Sequence, residues 1–147
     1  MPREDLPAPS EGFVLTHYLT ASDVDRSREF YADILDGQVV LERNPVMMKV
    51  ANAWIIINEG GGPTDDKPGI HVAPPSDSGT ISKISSFLNI RVADVWACYE
   101  EWRAKGAEFL TEPIDRGPEI RCFMRDPDGY LIEVGQSTRL LDREDII

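Results

Sequence analysis

Few residues in this sequence have the types and spacing for chemistry. Glu133 stands alone as a charge in an otherwise apolar stretch, YLIEVGQ (130–136). A carboxylate in such surroundings is either on a rim or must be paired, protonated or bound to a metal. Glu133 is therefore the first candidate catalytic group, with general-base work as one possible use. There are only two histidines, His17 and His71, and His71 sits in a Pro/Gly-rich connection. Cys98 and Cys122 form neither a CxxC pair nor a metal-ligand spacing and read as buried reduced thiols rather than as a disulfide. No nucleophile–base constellation, phosphate loop or zinc spacing occurs.

The elements that must position Glu133 are legible around it. Residues 120–136, IRCFMRDPDGYLIEVGQ, hold two short apolar runs about Asp126, Pro127, Asp128 and Gly129. Pro127 sets φ, Asp126 can bond its own backbone two residues on, and Gly129 relieves the exit, so a type I turn closing a β-hairpin is expected. Upstream, residues 13–21 read as a strand. Ser22 or Asp23 then caps a helix with Val24, Ser27, Phe30, Tyr31, Ile34 and Leu35 on one face, stopped by Gly37. Strands follow at 39–42, 46–51 and 54–58, the last two linked through Asn52 and Ala53. Residues 59–85, with GGG and prolines at 63, 68, 74 and 75, form a long connection. A strand at 86–92 leads to Asp94 as cap and a helix with Val95, Cys98, Tyr99 and Trp102 on one face, ending at Gly106. A strand at 107–110 and a polar loop with Pro113 and Pro118 complete the approach to the hairpin.

Both halves thus run strand, Asp-Val cap, amphipathic helix, Gly, three strands. Asp23-Val24 superposes on Asp94-Val95, which marks an internal βαβββ duplication rather than a solenoid. At 147 residues with 41% hydrophobic content the chain fits one domain with a real core. It divides into an arm (1–12), a first module (13–58), the connection (59–85), a second module (86–136) and a tail (137–147). With 15 basic against 26 acidic residues the net charge is −11, which argues against nucleic acid or an anionic membrane as partner. An acidic surface suits a cationic ligand, though it also serves solubility alone. No apolar stretch approaches the roughly 20 residues that span a bilayer, and the start lacks a signal-peptide core, so a cytoplasmic protein is expected.

SDVDRSREFYADILDG in the first half, and RVADVWACYEEWRAKGAEF followed by RDPDGYLIEV in the second, resemble the vicinal oxygen chelate superfamily, the glyoxalase/bleomycin-resistance/dioxygenase fold. The resemblance covers residues 13–136. It implies an α+β fold in which two βαβββ modules form an eight-stranded, partly closed sheet around a cavity, often in a homodimer. Activities on this fold range from metal-dependent lyases and dioxygenases to metal-free proteins that sequester a drug, so function must come from the site.

In metal-using members a His or Gln on each module's first strand joins the Glu of the terminal strand to hold a divalent ion (Ni, Mn, Fe or Zn) with open positions for substrate oxygens. Glu133 matches the terminal ligand, but the first-strand positions, seven residues before the capping Asp, are Thr16 and Phe87. His17 is one residue beyond its slot, which turns it to the helix-facing side of the strand. It is either a metal ligand reached by a shifted register or a hydrogen-bonded core histidine. Asn89 and Arg91 share the cavity-facing parity of Phe87, and Arg121 and Phe123 face the same space, so an ion pair or hydrogen-bond network accounts for Glu133 without a metal. Tyr18, Trp54, Phe87 and Phe123 are the aromatic candidates for lining a ligand pocket. The favoured expectation is a protein that binds a small aromatic or cationic molecule with no cofactor. The rivals are a divalent-metal lyase or dioxygenase using Glu133 and His17, and a metal-free isomerase or cyclase with Glu133 as base.

Overall fold

The computed structural model describes residues 6–75 and 83–138. Parts of the expected arm and connection, and nearly all of the tail, lie outside the described residues. The chain forms two compact units, Met1–Ser76 and Asp77–Ile147, each with its own sheet and helix.

The first unit contains β1 (Thr16–Thr20), α1 (Val24–Asp33), β2 (Gln38–Leu41), β3 (Val46–Val50) and β4 (Ala53–Asn58) in the sheet order β1-β4-β3-β2. β1 runs parallel to β4, and Thr16 pairs with Trp54. The expected strand at 13–15 is missing because its partners in that register would be the Ala51–Asn52 turn, where Ala51 has φ 50°. Phe13 and Leu15 are consequently more than 80% exposed. Asp23 caps α1, its carboxylate accepting from the Arg26 amide at 3.1 Å. The chain turns out of α1 through Asp36 (φ 55°) rather than through Gly37. Gly37 is needed for a close approach: a Cβ there would lie 2.8 Å from the Tyr31 carbonyl oxygen and 2.9 Å from Met48 Cε. Tyr31 and Ile34 from the helix side meet Leu19, Val46, Met48, Ile55 and Ile57, all buried, and this core follows the strand alternation expected of a sheet with one covered face.

The second unit repeats the plan with β5 (Leu88–Arg91), α2 (Val95–Ala104), β6 (Glu108–Phe109), β7 (Ile114–Asp115), β8 (Glu119–Arg125) and β9 (Leu131–Ser137), in the order β5-β9-β8-β6. β7, inside the stretch read from sequence as a polar loop, also pairs with β8. β6 and β7 are two pieces of one edge strand, and Pro113, with no amide hydrogen to give, lies in the gap between them. The fold is therefore α+β with two βαβββ modules, four strand positions in each. Asp94 caps α2 through the Ala97 amide, and the Gln136 side chain accepts from the Val95 amide at 2.9 Å. Val95, Tyr99 and Trp102 pack with Cys122, Met124, Ile132 and Val134 as the buried core. Cys98 and Cys122 are free thiols, and burial pushes that of Cys122 up to about 11.

The β8–β9 hairpin closes as its residues dictate. The Asp126 carboxylate accepts from the amides of Asp128 and Tyr130, both at 2.9 Å, and the Gly129 amide donates to the Asp126 carbonyl. Gly129 takes φ 90°, which an L side chain would resist.

Candidate functional site

Register on the second sheet decides which side chains meet. β5 lies parallel to β9, with Asn89 opposite Glu133 and Arg91 opposite Gly135. β8 lies antiparallel on the other side of β9, with Phe123 opposite Glu133, Arg121 opposite Gly135 and Glu119 opposite Ser137. Residues paired across strands share a face. One face of the sheet thus carries Asn89, Glu133 and Phe123 in one row and Arg91, Gly135 and Arg121 in the next. The opposite face carries Ile132, Val134, Cys122 and Met124, the side buried with α2.

Glu133 is only 6% exposed although its face is otherwise open. Its Oε2 accepts from Asn89 Nδ2 at 2.6 Å, and its Oε1 lies 3.9 Å from Arg91 Nη1, an ion-pair contact too long for a hydrogen bond. Arg91 donates from Nη1 to Glu119 Oε2 at 2.9 Å and from Nη2 to Ser137 Oγ at 3.1 Å. Arg121 donates to Glu119 Oε1 at 3.0 Å. These bonds, that of Arg121 first and that of Arg91 second, hold the Glu119 carboxyl below its ordinary range. Phe87 and Phe123 make an edge-to-face pair with centroids 5.8 Å apart, and the Arg121 guanidinium carbon lies 5.8 Å from the Phe123 ring centre.

The structure therefore brings six of the sequence candidates, Phe87, Asn89, Arg91, Arg121, Phe123 and Glu133, onto one sheet face. Three participants were not foreseen: Glu119, Ser137 and Gly135. A Cβ on Gly135 would lie 2.2 Å from Arg91 Nη1, so the glycine is the space through which the guanidinium crosses β9 to reach Glu119. The period-2 pattern of EIRCFMR would have placed Glu119 with Arg121 and Phe123 had the strand been started one residue earlier.

The remaining candidates lie in the first module. His17 pairs with Ile55 and shares the helix-side face with Leu19 and Ile57; it is half-buried, and that burial lowers its pKa from 6.5. Tyr18 and Trp54 are on the opposite face, Tyr18 50% exposed and Trp54 buried. His71 is exposed in a loop that the Gly61–Val72 bridge closes.

Chemically, the second-module face offers a buried carboxylate with one oxygen fixed, an accessible pair of phenyl rings and two guanidinium groups. The groups meeting Glu133 within its module are an amide N–H and a guanidinium. Both are donors, so within this module Glu133 has no second ligand atom beside it to offer a metal ion. No group of three or more His, Cys, Asp or Glu suited to a metal occurs among the described residues.

Comparison with known proteins agrees with this architecture. The chain is 25% identical over 134 residues to a probable lactoylglutathione lyase of Synechocystis, covering 88% of this chain and 99% of that one. To the lactoylglutathione lyase of Haemophilus influenzae it is 28% identical over 123 residues, covering 82% and 89% of the two chains. The crystal structure of the genomically encoded fosfomycin resistance protein FosX from Listeria monocytogenes superposes with a TM-score of 0.63 at 17% identity, over 93% of this chain and 99% of that one; at this identity it speaks for the fold alone. Residues 14–134 match the family model of the Glyoxalase/Bleomycin resistance protein/Dioxygenase superfamily, and the chain belongs to that superfamily.

Proposed function

We propose that this protein binds a small aromatic or cationic molecule on the Glu133 face of its second module, without an intact metal site. The supporting observation is that the terminal-strand carboxylate is engaged by a hydrogen bond from Asn89 at 2.6 Å and by an ion-pair contact with Arg91 at 3.9 Å. Phe87 and Phe123 present ring edges and faces to a flat ligand, while Glu133 Oε1, which lacks a short hydrogen bond, accepts from a ligand ammonium or hydroxyl group. Arg91 and Arg121, bridged by Glu119, stiffen the far side of the site and keep its guanidinium groups from repelling a cation at Glu133. In this reading the protein works as a cytoplasmic homodimer with no nucleic-acid or membrane partner. No helix among the described residues is long and apolar enough to cross a membrane.

The names of the curated relatives favour a second reading, a divalent-metal lyase that uses Glu133 and His17. Against it stands the placement of His17 on the helix side of its sheet with Leu19 and Ile57. A metal-free isomerase or cyclase with Glu133 as general base would use the same Oε1. Calorimetric titration of the full chain with Ni²⁺, Mn²⁺ and the flat aromatic cation proflavine separates these readings. Saturable proflavine binding, weakened about tenfold by Glu133→Ala, is expected. Stoichiometric metal binding that disappears in Glu133→Ala overturns the proposal in favour of the lyase.

A further inference from the structure

The first module has a second feature, independent of Glu133. On the sheet face turned away from α1, register aligns Thr16, Trp54, Lys49 and Gln38 in one row and Tyr18, Ile56 and Met47 in the next. Residues 6–10, LPAPS, lie against this face at its Trp54 end. Between that segment, Val14 and Trp54 is a cavity of about 450 Å³. That is within the size range, about 300–1,000 Å³, of small-molecule sites. Among the described residues its lining side chains are apolar except for Ser10, and main-chain groups make nearly half of the exposed lining polar.

Lys49 supplies the charge. Its Nζ sits 5.3 Å from the Trp54 ring centre, and among the described residues it has no carboxylate within ion-pair distance, in a chain with a net charge of −11. Trp54 is 8% exposed, so the indole is largely desolvated, and an ammonium group held over it is available to an anion that displaces it from the ring. Lys49 is not itself a lining residue, but it packs on the indole that is; a cavity with proline and aliphatic walls, an indole and a lysine next to that indole matches a flat body with one negative group.

We propose that this cavity is a binding site for an aromatic carboxylate, with Trp54 as the stacking surface, Lys49 as the carboxylate partner and residues 6–10 as a wall of the site. The ligand differs in charge from the one assigned to the Glu133 face, and the two sites share no residue.

The test is calorimetric titration of the full chain with 2-naphthoate, its neutral analogue 2-naphthamide, and 2-naphthylmethylammonium. The acid is expected to bind at least about tenfold more tightly than the amide, and the ammonium compound more weakly still. Lys49→Met should erase the preference for the acid. Val14→Trp, at a residue outside both cores, should fill the cavity and weaken acid and amide alike by about tenfold or more. Glu133→Ala should leave naphthoate affinity where it was. Absence of saturable naphthoate binding up to about 1 mM, equal binding of acid and amide, or naphthoate binding indifferent to both Lys49→Met and Val14→Trp overturns the proposal. So does naphthoate binding lost in Glu133→Ala, which would move the ligand to the second module. Circular dichroism of the two first-module variants, neither of which alters a fully buried side chain, confirms that each is folded when it is titrated.

Discussion

Asn89→Ala probes the contact on which the reading of Glu133 depends. Glu133 is 6% exposed, so its carboxylate has little access to water as a substitute partner. A hydrogen bond to an ionised group contributes about 1.5–3 kcal/mol, and stranding a buried acceptor costs a similar amount. Because the Asn89 side is open to solvent, the low end applies, about 1.5 kcal/mol. Arg91 does not compensate. At 3.9 Å it is beyond hydrogen-bond reach, and with its side chain 43% exposed the pair adds less than about 1 kcal/mol. For a domain of this size a loss of about 1.5 kcal/mol lowers Tm by about 3–6 °C. Urea unfolding followed by circular dichroism on the wild type, Asn89→Ala, Glu133→Gln and the double variant gives the coupling directly. A coupling of about 1 kcal/mol or more is expected. A change below about 0.5 kcal/mol in Asn89→Ala, or strictly additive single variants, would refute the reasoning. It would mean that Asn89 does not hold the carboxylate, and the donor-set argument against a metal ion at Glu133 would fall with it.

Two further outcomes follow from the same geometry. Burial lowers the pKa of His17 from 6.5, so the fold disfavours the imidazolium, and the unfolded chain takes up the proton first as pH falls. The stability this contributes is complete above about 6.5 and is lost as pH drops through the folded-state value. His17→Gln should flatten the stability profile between pH 7 and about 5; an unchanged slope would place the effect elsewhere. Gly135→Ala sets a methyl 2.2 Å from Arg91 Nη1, which must swing away from Glu119 and Ser137. For such part-exposed contacts the expected loss is about 1 kcal/mol in urea unfolding, and an equal or more stable variant would show that the guanidinium crossing contributes nothing.

Local chemistry made much of this molecule readable from its sequence. The Asp caps, the DPDG hairpin and the 71-residue offset between Asp23 and Asp94 each rest on short-range geometry, and the helices and modules followed from them. Alternation along β5 and β9 placed Asn89, Arg91 and Glu133 on one face because side-chain parity survives errors of a residue or two in strand ends. What escaped depended on pairing between distant segments. The loss of 13–15 from β1 is set by the Ala51–Asn52 turn. β7 exists because β8 is long enough to pair with both fragments of the edge strand. Gly37 read as a helix stop and Gly135 drew no reading, whereas each is required by a close approach, of the Tyr31 carbonyl and Met48 at Gly37 and of Arg91 at Gly135. Such steric needs leave no periodicity to read.

The duplication also shows how one topology came to carry two kinds of surface. Tyr18 and Asn89 occupy the same place in their modules, and their partners on the parallel terminal strands are Ile56 and Glu133. In the first module that pair is aromatic and aliphatic; in the second it is amide and carboxylate. An apolar pair leaves no buried charge to satisfy, so the surrounding positions can be given to Trp54 and Met47, and the face favours stacking. A buried carboxylate needs donors, and Asn89 and Arg91 supply them, with Glu119 and Gly135 required in turn to hold the arginine in place. The difference between Ile56 and Glu133 therefore propagates through each face. It accounts for one apolar, aromatic face and one face built around a carboxylate on modules that share cap, helix and strand order.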